Sequence, residues 1–341
     1  SSSGVSTIAI GPSRPRIMVS AGCGVCLVSA AMGMLSALLP VMLSEMAGGW
    51  TVAVRSPFNP RKMRLDGKTA LVTGANTGIG RITALELARA GATVILHGRS
   101  RERMAAVADE IARDGGKARV VTTDLGHLSS VQTMVHNIAR FHDGPLDIAI
   151  LNAGLCKDCI GSTTAGYELT SDGFELHIQV NHLAHQLLVE LLIKRGSLTN
   201  ASRLVSVSSA LHSRSYPEGI RYENWGEEGR GYTDGAAYGQ SKLANIMMAH
   251  EVRRRFGIPS VSLHPGIIAT DLGRHQDKEA FNVGKMAFKS LFGLAQMSVE
   301  QGALNQLWAA MEPGLTEGYF VPVGRHAAVG HPAFTGAASA A

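Results

Sequence analysis

One stretch limits this chain more than any other: Leu71-Val72-Thr73-Gly74-Ala75-Asn76-Thr77-Gly78-Ile79-Gly80, an apolar run broken by three glycines and followed at once by a segment of helical period. It reads as a strand, a tight turn and a helix N-terminus. Glycine lets the backbone approach a ligand closely. The free N–H groups and positive dipole end of the helix favour an anion such as a pyrophosphate. Gly74, Asn76, Thr77, Gly78, Ile79 and Gly80 are therefore candidate contacts of a dinucleotide. The spacing differs from G-x-G-x-x-G, so a plain glycine-rich turn stays open until the surroundings are read.

Those surroundings repeat. Apolar runs rich in β-formers occur at Thr69–Thr73, Thr93–His97, Ala118–Thr122, Asp147–Leu151, Arg203–Val207 and Ser260–His264, and Tyr319–Val323 supplies a seventh. Longer segments of helical period separate them. Such alternation implies parallel strands joined by right-handed crossovers, with helices on both faces. The expected fold is α/β, a single doubly wound Rossmann domain with a seven-stranded parallel sheet over residues 65–326. Residues 327–341, rich in Ala and Gly, are expected to form a flexible tail.

Residues 1–64 do not fit this pattern. From Ser1 to Ser44 there is no acidic residue, Arg14 and Arg16 are the only basic ones, and Ile17 to Leu43 carries no charge. About 20 apolar residues span a bilayer as a helix. A retained signal anchor, a cleaved targeting peptide and a buried core segment are the three readings, with Trp50–Pro60 as a linker. Arg55, Arg61, Lys62 and Arg64 outnumber Arg14 and Arg16, which by the positive-inside rule puts the main domain on the cytosolic face of a membrane such as the endoplasmic reticulum. An acid-free leader with Arg and Ser also suits a plastid or another organelle.

Charge and cysteine content narrow the function. The 341 residues carry a formal charge of +5, but the Lys and Arg residues are scattered without a dense run, which argues against nucleic-acid binding. The four cysteines form two C-x-x-C pairs, Cys23/Cys26 and Cys156/Cys159, neither with a partner pair at zinc-finger spacing, so no metal site is expected. Cys156 and Cys159 can also be read as a redox pair, because the intervening Lys157 favours a thiolate.

In an open α/β sheet the ligand lies outside the carboxyl ends of the strands. The end of the second strand reads His97-Gly98-Arg99-Ser100, with no acidic residue to accept from a ribose 2′-hydroxyl. Arg99 instead offers a fork of donors to a 2′-phosphate, favouring NADP over NAD; a solvated arginine at a helix start is the alternative. Asp124-Leu125 follows the third strand and Asn152-Ala153-Gly154 the fourth, both in reach of a bound dinucleotide. Tyr238 and Lys242 stand four apart and share a helix face. A nearby ammonium draws a phenol towards neutrality, which suits Tyr238 to proton transfer, and Ser209 can hold a substrate oxygen.

Taken in order, T-G-x-x-x-G-I-G at Thr73–Gly80, N-A-G at Asn152–Gly154, Ser209, Y-x-x-x-K at Tyr238–Lys242 and Pro265-Gly266 followed by Thr270 resemble the short-chain dehydrogenase/reductase family, over about residues 65–323. The resemblance implies that Asn181 completes a catalytic tetrad with Ser209, Tyr238 and Lys242. It also implies that Lys242 binds the nicotinamide ribose and that Pro265, Gly266 and Thr270 lie near the nicotinamide. Val180-Asn181-His182-Leu183-Ala184-His185 and His264-Pro265-Gly266 look most like the retinol dehydrogenase and protochlorophyllide reductase-like branch. That branch implies NADP(H), a lipophilic substrate such as a retinoid, steroid or fatty aldehyde, and often a membrane anchor. Subunits in the family commonly pair, so a homodimer is among the expectations.

His182 and His185 are expected to pack rather than bind metal. Ser209 and Tyr238 are farther apart than is usual in the family, and the insert holds Tyr216, Pro217, Tyr222 and Trp225. It is a candidate substrate rim, with 276–296 as the opposite wall. Two rivals to carbonyl–alcohol chemistry remain: reduction of a carbon–carbon double bond and a non-catalytic NADP(H) sensor.

Overall fold

Strand residues that are apolar on both sides need cover on both sides, and the chain supplies it. The computed structural model describes residues 58–157, 166–229, 231–266, 268, 297–322 and 333–335. Strand β1, Thr69–Thr73, and strand β4, Ile148–Leu151, are buried at every position. In β1 the alternation divides the side chains between two cores. Ala70 and Val72 enter a cluster with Ala84, Leu87, Met104 and Leu307, whereas Leu71 points into a second one with Val131, Met134, Leu188 and Val252.

The helices that carry those residues are α1 (Gly78–Arg89), α2 (Arg101–Arg113) and α6 (Val299–Met311) on the first face. On the second lie α3 (Leu128–Phe141), α4 (Ala184–Arg195) and α5 (Asp234–Phe256). The remaining strands are β2 (Thr93–Gly98), β3 (Lys117–Thr122), β5 (Arg203–Val207), β6 (Ser260–Leu263), β7 (Tyr319–Val321) and β8 (Ala333–Thr335).

The sheet runs β3-β2-β1-β4-β5-β6-β7-β8. The first seven strands in chain order pair in parallel, so the doubly wound seven-stranded sheet is present. An eighth strand adds to it: β8, from the stretch expected to be a loose tail, pairs antiparallel with β7. The order reverses between β1 and β4, which sets the ligand crevice above these two strands. At the other end, Phe58 and Met63 rest on the first core and Leu65 N–H donates to Ala90 O, so packing begins ahead of the boundary placed at Leu65. Ile17–Leu43, the expected targeting or anchor stretch, lies outside the described residues. Among the described residues no helix is long and apolar enough to cross a membrane.

Several histidines are enclosed in this fold, and two of them show what burial costs. His97, at the end of β2, is 1% exposed and His185, on α4, is fully buried. Burial holds their imidazoles down at about 4 and about 3 respectively. An unfolded chain takes up these protons near pH 6.5, so between that value and about 4 the unfolded state binds more protons than the folded one. Stability is therefore expected to fall as pH falls through this window, by on the order of 1.4 kcal/mol per pH unit for each histidine. Urea unfolding at pH 7.5 and pH 5 measures the loss, and His185→Gln should flatten the slope by about one proton.

Candidate active site

Each glycine of the first turn has its own physical reason. Gly74 (φ +67°) and Gly78 (φ +56°) occupy the left-handed region that favours glycine. Gly80 has no such φ; a Cβ there would lie 2.4 Å from Asn152 Nδ2 and from Gly74 O, so it is bare because another turn lies against it. The spacing that looked irregular thus meets two different demands. Helix α1 begins at Gly78 with no side chain capping its N-terminus and no acidic residue in its first turn. Its N–H groups and dipole are left to an external anion.

The second turn is laced to the first. Thr73 Oγ1 accepts from the N–H groups of Asn152 and Ala153, both at 2.9 Å, and lies 3.0 Å from His185 Nε2. Asn152 Nδ2 donates to Thr73 O (2.9 Å) and Gly74 O (3.3 Å). Its own carbonyl accepts from Gln306 Nε2 on α6 at 2.8 Å, and Gln306 accepts from Thr83 on α1. Thr73 was read only as a motif letter, and nothing in the sequence pointed to Gln306.

Above these turns lies a cavity of about 570 Å³. Gly74, Asn76, Thr77, Gly78, Ile79 and Gly80 form its floor, with Asn152, Ala153 and Gly154 beside them. Asp124 and Leu125 line it as well, Asp124 Oδ1 accepting from Gly126 N–H. Arg99 lies exposed at the rim, and Arg103, four residues on and also lining the cavity, joins it. Arg103 was missed, although its one-turn spacing from Arg99 was legible. Ser209, Tyr238, Lys242, Pro265 and Gly266 line the same cavity. Thr270, the 276–296 wall and Cys159 lie outside the described residues; Cys156 is buried and disulfide-bonded. Among the described residues no group of three or more His, Cys, Asp or Glu is arranged to hold a metal.

Four groups make up the candidate catalytic corner. Asn181 sits in a π-helical turn, Gln179–Leu183, that leads into α4, a local widening often found at functional positions. Its amide accepts from Leu155 N–H (2.8 Å) and donates to Leu155 O and Ser241 Oγ, both at 3.0 Å. Ser209 lies two residues beyond β5 and caps a short 3₁₀ turn, Ala210–Arg214, its Oγ accepting from Leu211 N–H at 3.2 Å. Tyr238 lies in the first turns of α5, with its hydroxyl bonded to Ser209. Lys242, one turn further, donates to Val207 O at 3.2 Å, and its Nζ is 5.6 Å from the Tyr238 ring centroid.

A Cβ on Gly154 would lie 3.1 Å from Asn181 Oδ1 and 3.2 Å from Lys242 Nζ, so the two polar groups meet over that bare position. Gly239 is bare for a similar reason, since its Cβ would strike Leu211 O at 2.7 Å and Ser215 N at 2.9 Å. The insert after Ser209 rides directly on the catalytic helix there. It is moored again where Arg221 N–H donates to Gln240 Oε1 at 2.6 Å.

The electrostatics depart from the sequence expectation in one respect. Burial pushes the Tyr238 phenol up to about 12, with the Ser209 hydroxyl pulling the other way, and burial pushes the Lys242 ammonium down to about 8. Desolvation acts on both groups. Because Lys242 is weakened and directed at Val207 O, it does not draw Tyr238 towards neutrality here. His182 (Nδ1 3.2 Å from Asn245 Oδ1) and His185 (Nδ1 3.1 Å from Asn181 O) are in contact with neighbouring polar atoms, in keeping with packing roles.

A bare glycine floor, an uncapped helix N-terminus and two arginines lining the same cavity are chemically suited to a dinucleotide. The profile of the family described as short chain dehydrogenase matches residues 68–223. Human retinol dehydrogenase 13 is 35% identical over 263 residues, 76% of this chain and 76% of that protein. Mouse retinol dehydrogenase 14 is 37% identical over 258 residues, 69% of this chain and 74% of its own length. Among solved structures, landomycin C-6 ketoreductase LanV with bound NADP and rabelomycin is 28% identical with a TM-score of 0.57, covering 77% of this chain and 97% of its own.

The glycine floor yields a direct prediction. Gly80→Ala is expected to push the two turns apart, costing about 1–3 kcal/mol of stability and weakening nicotinamide-cofactor binding by tenfold or more, on the order of a 1 Å misplacement. Thermal unfolding and fluorescence titration with NADPH measure both effects.

Proposed function

The chain belongs to the short-chain dehydrogenase family, in its retinol dehydrogenase-like branch, and from that premise we propose an NADP(H)-dependent enzyme that interconverts a carbonyl and an alcohol on a lipophilic substrate. The family makes it an oxidoreductase that uses a nicotinamide cofactor. The choice of NADP(H), the substrate class and the roles of individual residues are our reading. One observation carries it: a single cavity has Arg99 and Arg103 at one end and Ser209 with Tyr238 at the other. Leu155, Leu176, Val180 and Ile268 line the same cavity and suit an apolar substrate. The bound NADP and rabelomycin of LanV offer a parallel for such a cofactor and a bulky substrate.

The cofactor, when bound, supplies or accepts the hydride. Gly74–Gly80 and the start of α1 would hold its pyrophosphate, and the guanidinium groups of Arg99 and Arg103 would meet a 2′-phosphate. Ser209 donates a hydrogen bond to the substrate oxygen. Tyr238, a phenol protonated at neutral pH and held so more firmly by burial, gives that oxygen its proton as charge develops. Lys242 and Asn181 stand together over Gly154, where they can orient the nicotinamide ribose and steady the proton path.

A screen of NADPH oxidation with retinoid, steroid, fatty-aldehyde and pigment substrates tests the reading. Tyr238→Phe should lower kcat by at least about a hundredfold, the usual worth of a positioned acid; full turnover in this variant would remove the assignment. Arg99→Ala should raise the Kd of NADPH by roughly tenfold or more, the equivalent of one lost charge-assisted contact, while leaving NADH nearly unchanged. Equal losses for the two cofactors would show that Arg99 does not read the 2′-phosphate.

A further inference from the structure

Behind Tyr238 lies a cluster of buried ionisable groups that the mechanism above does not use. Glu175 is 1% exposed, and His177, Asp234 and Tyr232 are buried with it. Glu175 Oε1 lies 2.6 Å from His177 Nδ1 and 3.1 Å from the Tyr232 hydroxyl, and Oε2 accepts from Ile178 N–H at 2.8 Å. His177 Nε2 accepts from Lys157 N–H at 3.1 Å. An imidazole nitrogen that accepts has no proton, so Nδ1 carries it and donates to the carboxylate. Burial acts to raise the Glu175 carboxyl, but His177 and the backbone donors outweigh it, and the group is held below the ordinary carboxylate range.

These bonds join segments far apart in the chain. Through His177 the pair holds the loop that follows Asn152–Gly154, at Lys157. Through Tyr232, and through Glu175 N–H donating to Trp225 O at 2.6 Å, it holds the aromatic insert between Ser209 and Tyr238. The neighbouring Leu176 lines the cavity. The His177 ring packs edge to face against the Tyr238 ring, with centroids 6.2 Å apart and planes at 79°. A buried carboxylate with three donors is costly to assemble, and its partners lose the gain if any one of them moves.

We propose that Glu175 and His177 are a positioning pair that fixes the aim of Tyr238 by clamping the loop after β4 and the aromatic insert to one point behind its ring. The inference rests on the carbonyl–alcohol reading for its kinetic consequence, but not for its structural one. Neither residue touches the reacting atoms. They act by holding the substrate side of the site in register with the catalytic helix, where small misplacements cost rate rather than cofactor affinity.

The test uses the full chain, NADPH and retinal as the probe carbonyl. Tyr232→Phe removes one hydroxyl and Glu175→Gln removes the charge; the first is the gentler variant should the second fold poorly. Both are expected to lower kcat by about tenfold or more while the Kd of NADPH stays within about twofold. In hydrogen exchange, amides of 153–157 and of 222–229 should speed up together in each variant. Unchanged kcat, or a loss of rate matched by an equal loss of NADPH binding, overturns the proposal, as does faster exchange in only one of the two segments. If the wild-type chain turns over no carbonyl in the screen, the functional reading falls, and the paired exchange response still decides the clamp.

Discussion

The hydroxyl of Thr73 and the amide of Asn152 tie together two turns that must lie close for the crevice to exist. The parallel sheet brings the ends of β1 and β4 side by side, but backbone pairing stops at the strand ends. Beyond that point, polar side chains have to satisfy the exposed peptide groups. Thr73 takes two N–H groups, Asn152 returns donors to two carbonyls, and Gln306 fixes the orientation of Asn152 from a helix more than 150 residues later. Gly80 has to be bare because this lacing leaves no room. The phosphate floor, the N-terminus of α1 and the position of Gly154 under Asn181 and Lys242 all follow from it.

The corner proposed for catalysis is governed by the opposite problem, the removal of water from ionisable groups. Desolvation moves Tyr238 and Lys242 towards neutral forms, and the nearby Ser209 hydroxyl only partly offsets this for the phenol. A site set in this way holds its proton firmly until an oxygen with developing charge arrives. The buried Glu175 nearby is treated differently, keeping its charge through several donors. Two buried acids a short distance apart are thus tuned in opposite senses by their hydrogen-bond partners.

Much of this was legible in the sequence, for definable reasons. Parallel strands buried on both faces leave continuous apolar runs, so β1, β2 and β4 to β6 could be placed within a residue or so, and glycine turns at strand ends mark the crevice. The residues that line it at 74–80, 152–154, 209, 238, 242 and 265–266 are tied to local motifs and came with them. Gln306, Glu175 and His177 were not legible, because their roles arise from contacts across the tertiary fold and no local pattern encodes them. The sense of the Tyr238 shift was misjudged for a related reason: helical spacing gives the nearness of a lysine, whereas burial depends on every element packed around it. The eighth strand escaped notice because a three-residue edge strand in an Ala- and Gly-containing stretch has almost no signature of its own.

Gly239 has a consequence for anyone who would redesign this enzyme. The residue after Tyr238 is the seat on which the long insert rests, and Gln240 beside it makes the second mooring. The insert is therefore built as part of the helix that carries Tyr238, not as an independent flap. Exchanging this insert for that of a relative would transplant a working wall only if its own seat residues travelled with it; grafted onto a bulkier neighbour of the tyrosine, the same loop would lift away and tilt the helix beneath it.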